Sequence, residues 1–176
     1  MPRPSLAAAL GGGDRRSIGS SNEVAALVLE QPKRLPELIA CLWSDDPIVR
    51  MRAGDAAEKA SAQEPALLKP FKAELLGLLV ETEEQELRWH LAQMIPRLSL
   101  TAGERQRAAT IFRSFLKDRG SLVKTAGLQA LADLARLDAG LRSEVLERIE
   151  EALRNGTPAM KARGRNLLKE FRRGVR

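Results

Sequence analysis

From Asn22 onward, apolar residues recur at helical steps and no window alternates in the two-residue period of a strand. The pattern predicts nine helices, at about residues 22–31, 35–44, 47–61, 66–81, 84–98, 102–118, 121–137, 140–155 and 158–173. Start signals support these positions. Asp46 before Pro47 and Thr157 before Pro158 each read as an N-cap followed by proline in the first turn, and Thr101 with Glu104 forms a capping box. Gly120, Gly140 and Gly156 mark stops. Residues 1–20, with two Pro and four Gly and no periodicity, read as a flexible arm, and 174–176 as a tail.

The helical stripes repeat. Leu38, Leu75, Phe112 and Ile149 follow one another at 37 residues, as do Leu42, Leu79, Leu116 and Leu153, and Cys41, Leu78, Phe115 and Ala152. Arg34, Phe71, Ala108 and Val145 keep the same step. Together they are the buried stripe of a first helix, A. A second helix, B, repeats as Val49, Leu87, Val123 and Met160, at steps of 38, 36 and 37. Ala53, Leu91, Gly127 and Gly164 come four positions later, and Ala56, Met94, Ala130 and Leu167 seven later. The chain therefore reads as four hairpins, about 34–62, 65–99, 101–137 and 139–173, behind a leading helix at 22–31. One hairpin cannot bury both faces, so neighbours must stack.

The segment Asp46-Pro47-Ile48-Val49-Arg50-Met51-Arg52-Ala53 resembles the opening of the B helix in HEAT repeats, with an acidic cap, proline, an aliphatic residue and a basic residue. The basic position recurs as Arg50, Arg88, Lys124 and Lys161. The resemblance spans about residues 34–173 and implies an all-α fold, a right-handed α-solenoid of about four HEAT-like or armadillo-like hairpins. The cap becomes Glu84, Gly120 and Thr157 in later repeats, so the family's inter-repeat Asp–Arg ladder is expected no further than the first repeat.

In the resembling families B helices line the concave surface. On a 100° wheel the positions two, six and nine after Val49 and its equivalents point away from the core. They are Met51, Asp55 and Glu58; Trp89, Gln93 and Pro96; Thr125, Gln129 and Ala132; Ala162, Asn166 and Lys169. Gln93, Gln129 and Asn166 are amides that can both donate to and accept from an extended backbone. Trp89, one turn before Gln93, is a candidate anchor, since an indole offers a large apolar face. Armadillo carriers grip peptides with a Trp four residues before an Asn, and Trp89 with Gln93 is similar. The alternative is that Trp89 caps the next helix and the amides are solvated.

Charge adds a second candidate. Residues 154–176 hold eight basic side chains against Glu170, whereas residues 21–153 hold 18 basic and 21 acidic ones. Lys161, Arg163, Arg165, Lys169, Arg172 and Arg173 are thus a basic patch for an acidic protein or a phosphate backbone, or the polar outer face an end repeat requires. Little aromatic character interleaves with it, so stacking on single strands is not favoured.

Composition narrows the chemistry. The chain has one His, one Cys and no Tyr, too few for metal sites or nucleophilic triads built on those groups, and no catalytic residue, metal or cofactor is assigned. No apolar run approaches the ~20 residues of a membrane span. A lone cysteine fits a reducing, cytoplasmic setting. Cys41 shares its column with Leu78 and Phe115 and reads as a core thiol, His90 as a packed histidine, and Trp43 as hairpin closure. Glu81, Glu83, Glu84 and Glu86 surround a helix start and are a weak candidate for a cation. Some HEAT-like proteins are alkyl-base DNA glycosylases, and Asp55 with Trp89 would be the equivalents here. The leading expectation is a non-catalytic scaffold or adaptor that binds a peptide or protein partner on the concave face, and the second is nucleic-acid association through the basic last hairpin.

Overall fold

A computed structural model describes residues 4–14 and 16–173. Every described element is helical. The α-helices are α1 (Leu6–Leu10), α2 (Ser21–Glu30), α3 (Leu35–Ala40), α4 (Pro47–Gln63), α5 (Lys72–Glu81), α6 (Gln85–Met94), α7 (Ala102–Phe115), α8 (Ser121–Leu137), α9 (Arg142–Asn155) and α10 (Pro158–Arg173). No described helix is long and apolar enough to cross a membrane. Short 3-10 turns lie between the expected helices or replace their ends, at Pro32–Arg34, Cys41–Trp43, Pro65–Phe71, Ile95–Arg97 and Ala139–Leu141. Proline explains three of the five: Pro32, Pro65, Pro70 and Pro96 each lack the amide that an α-helical turn needs.

The caps form as expected. Asp46 accepts from the Ile48 amide at 2.8 Å, and Thr101 and Glu104 make both bonds of the capping box. Gly156 closes α9. Gly120 instead precedes α8 as its N-cap, its own amide bound by Asp118 at 2.8 Å, and Gly140 lies inside a 3-10 turn.

The chain divides into two compact units, Met1–Gly77 and Leu78–Arg176, with the boundary inside α5. In the first unit α4 is central, packed by α1, α2, α3 and the Cys41–Trp43 turn. Its buried face is Val49, Ala53, Ala56, Ala57 and Ala60, small residues that let helices approach closely. In the second unit α8 is central, touched by α6, α7, α9 and α10. The close approach of α7 to α8 depends on Gly127: a Cβ there would lie 2.7 Å from the Phe115 Cβ and 3.0 Å from the Phe112 carbonyl oxygen. All twelve positions of the B stripe are buried. In the A columns Leu38, Leu75, Phe112 and Ile149 are fully enclosed, and Cys41 is buried beside them in pattern.

The first 20 residues differ from the loose arm expected. Leu6 and Leu10 are 1% and 0% exposed, and α1 packs on α2, α3 and α4. The reason is Arg52, itself only 3% exposed. Its guanidinium donates to the carbonyls of Leu10 (2.8 Å), Gly11 (3.4 Å), Gly12 (2.6 Å), Asp14 (3.0 Å) and Ser17 (3.0 Å). A buried cation is tolerable because five carbonyl dipoles replace its water. Gly19, at φ +51°, brings the chain back over the guanidinium, where a Cβ would sit 2.6 Å from the Arg52 Cζ. Glu37 ties down the near end, accepting from the Leu6 amide at 2.7 Å and from Arg34, which also donates to the Pro4 carbonyl. The parts of the arm and tail at 1–3, 15 and 174–176, with their basic residues Arg3, Arg15 and Arg176, lie outside the described residues.

Candidate binding surfaces

In the second unit α6, α8 and α10 lie side by side, α8 in the middle. This places Trp89, Gln93, Thr125, Gln129 and Asn166 on neighbouring helices of one unit. Trp89, Gln93, Thr125 and Gln129 are half-buried and Asn166 is exposed. The gradient has a simple cause. Because α8 is flanked on both sides, its free arc is narrow, and Ala132, expected on the open face, is fully buried. Among the described elements α10 packs on α8 and α9.

Trp89 is held firmly. Its ring stacks on the ring of His90, centroids 4.7 Å apart, and His90 is 3% exposed. The preceding residue, Arg88, donates to the Thr82 carbonyl and to Asp118, both at 2.9 Å, with its guanidinium 5.4 Å from the centre of the Phe115 ring. The start of α6 is therefore clamped to the turn before α8. An Arg–Asp pair thus joins the second and third repeats of the sequence pattern. The acid is present, two residues ahead of the position where the first repeat's pattern puts it. Arg50 makes the equivalent backbone bond, to the Ser44 carbonyl at 2.5 Å. At the next step the hydroxyls of Ser121 and Thr157 bond each other at 2.7 Å.

The amide row is less open than the sequence suggests. Gln129 donates to Asp133 at 2.9 Å, and Gln93 lies 3.4 Å from the Trp89 carbonyl of its own helix. Asp133 also accepts from Arg136, which reaches on to Glu170 of α10. Burial raises the Asp133 carboxyl, with the Gln129 bond, Arg136 and Arg97 offsetting part of the effect. The wheel omitted this ion-pair line, though Arg97, Asp133 and Glu170 stand at the repeat pitch, ten positions after Leu87, Val123 and Met160.

Met51 and Asp55 belong to α4 in the first unit. Asp55 is not a free groove residue. Its Oδ2 accepts from the Ser21 hydroxyl and from Lys59, each at 2.5 Å, and Lys59 also donates to Asn22 at 2.6 Å. The leading helix α2 thus covers this part of α4.

On α10 the core side is Met160, Gly164, Leu167 and Phe171. Lys161, Arg165, Lys169 and Arg172 follow at steps of four, four and three, a single row along one flank. Lys161 is half-buried and the others are exposed. Glu170 faces Arg136 of α8 and Gly164 faces Leu153 of α9, so this row lies on the flank away from both. Arg163 and Arg173 are exposed on other arcs of the helix.

Among the described residues no group of three or more His, Cys, Asp or Glu could hold a metal ion, which removes the glutamate cluster around Glu83 as a cation candidate. Trp43 is 45% exposed at the end of its turn. Neither a protein-family model nor a curated protein matches the chain.

Proposed function

We propose that this chain is a non-catalytic binding module, built of HEAT-like hairpins stacked as a solenoid, that holds a segment of a partner protein across α6, α8 and α10. The observation that carries the reading is Trp89: a partly exposed indole stacked on a buried imidazole at 4.7 Å. A rigid aromatic loses little entropy when a partner packs on it, which makes it an anchor. Gln93 and Gln129 offer amide oxygens beside it, and exposed Asn166 offers a full amide. The side-by-side order of α6, α8 and α10, with α7 and α9 against α8, supports the solenoid. Asp55, occupied by Ser21 and Lys59, is poorly suited to be the acid of a glycosylase-like site. A buried, reduced Cys41 fits work in a cytoplasm.

The test is a pull-down from native lysate at rising salt, with Trp89→Ala as control. A partner retained at about 0.5 M salt and lost in the variant supports the reading, since exposed electrostatics are largely screened there. Equal capture by the variant refutes it. The row Lys161–Arg165–Lys169–Arg172 favours a second reading, association with a nucleic-acid backbone. It requires binding that falls steeply with salt and disappears when Arg165, Lys169 and Arg172 are reversed in charge.

A further inference from the structure

A cleft of about 720 Å³ opens within the second unit, away from the Trp89 surface. One wall is the face of α7 carrying Thr110, Arg113 and Ser114, continued by Lys117. The other is the face of α9 carrying Arg148, Glu151 and Asn155. These residues fall at steps of three and four on each wall, so two helices run along the cleft. Its floor is apolar: Leu116, Ala152 and Met160. The turn at Gly156 and Thr157, with Lys124 of α8, closes one end.

The charges are unequal. Arg113 is committed to Glu144, with two bonds at 2.5 and 2.7 Å, a pair that ties the two walls together. Glu151 is held by Asn155 at 2.7 Å and Arg154 at 3.2 Å. Arg148 touches Glu144 only at 4.0 Å, beyond hydrogen-bond reach. Lys117 and Lys124 make no ion pair among the described residues. Three cationic groups therefore rim an apolar trough whose one acid is already engaged.

We infer that this cleft is a second binding site, for a short acidic peptide segment of a partner protein that seats an apolar side chain on Leu116, Ala152 and Met160 and presents carboxylates to Lys117, Lys124 and Arg148. Charge complementarity selects the occupant. A nucleic-acid backbone would use the lysines but has nothing to place on the apolar floor, and the cleft has no aromatic ring on which a base could stack. A neutral apolar peptide would leave the cationic rim without partners. The Ser114 hydroxyl donates to the Ile111 carbonyl at 2.6 Å and keeps a lone pair for a backbone N–H of the segment.

The experiment is a selection of displayed random peptides against the full chain, followed by fluorescence anisotropy with the enriched peptide. The selection is run in parallel on Lys117→Glu/Lys124→Glu. Enriched peptides should carry Asp or Glu flanking an apolar residue. Their Kd should rise at least about tenfold in the double variant and also in Arg148→Glu. Trp89→Ala should leave Kd unchanged, which separates this site from the α6–α8–α10 surface. A melting temperature close to wild type in each variant shows that the fold is intact. Where the charge reversals unfold the protein, Lys117→Gln/Lys124→Gln serves, with a loss of about threefold or more expected. The inference is overturned if enriched peptides lack acidic residues, if their affinity survives charge reversal, or if single-stranded DNA competes for the cleft better than the peptide does.

Discussion

Replacing Arg52 with alanine removes the group on which the first twenty residues close. Five backbone carbonyls lose their donor, and two of the bonds, to Leu10 and Gly12, are short at 2.8 and 2.6 Å. Hydrogen bonds to a charged donor contribute roughly 1.5–3 kcal/mol each. Their sum is not the expected loss, because Gly12, Asp14 and Ser17 are exposed and their carbonyls can take water instead once the segment lifts. Lifting is opposed by Leu6 and Leu10, each worth about 1.5–3 kcal/mol when fully buried. A net loss of about 3 kcal/mol follows, localised to this segment, which raises its open population about 100-fold. The assay is limited trypsin digestion at Arg16 under native conditions, read alongside hydrogen exchange of the Ala9 and Gly11 amides, which hold α1 through Ser5 and Ala7. Arg52→Lys should behave nearly as alanine, because one ammonium cannot reach carbonyls spread across three directions. Cleavage and exchange within about twofold of wild type in Arg52→Ala would refute the clamp.

Gly127→Ala should destabilise the second unit by about 1–3 kcal/mol, read by urea unfolding, because the new methyl meets Phe115 and the Phe112 carbonyl. Gly164→Ala, whose Cβ would press on the movable Leu153 side chain at 3.3 Å and lie at ordinary distance, 3.6 Å, from the Ile149 carbonyl oxygen, should lose less. Hydrogen bonding from Arg113 holds the Glu144 carboxyl below its ordinary value, with burial opposing and the charges of Arg113 and Arg148 assisting. A depressed carboxylate gives stability that is present above the unfolded-state pKa and disappears as pH falls through the folded one. Because both side chains are about a third exposed, the contribution is about 1 kcal/mol or less, and Glu144→Gln should flatten the unfolding free energy below pH ~5. Burial, with the nearby Glu37 charge, raises the Cys41 thiol, so its reaction with a disulfide reagent should be slow in the native protein and fast in denaturant.

The repeat was legible because its cause is periodic. Burial of one helix face demands an apolar residue every three or four positions, so Val49, Leu87, Val123 and Met160 were found by spacing and all are buried. Arg52 was missed because it stands three positions after Val49, on the edge of the stripe, where polar residues usually reach water. His90 occupies the same position after Leu87 and is also buried. The glycines at 11–13 and 19 were the available signal, since bare backbone can turn several carbonyls toward one cation. The wheel showed which positions avoid the core but not which neighbour covers them. Asp55 under α2, Ala132 between two flanking helices, and Gln129 bonded to Asp133 all depend on that. The α7–α9 cleft was invisible because its walls come from helices 37 residues apart whose facing residues share no sequence motif.

A partner that packs on Trp89 must change the surroundings of its ring. Trp43→Phe leaves Trp89 as the sole indole, so its emission reports this surface alone. Adding the captured partner should shift Trp89 emission to the blue and protect it from acrylamide, with Asn166→Ala weakening binding without abolishing it. Saturating complex with unchanged emission and unchanged quenching would contradict it.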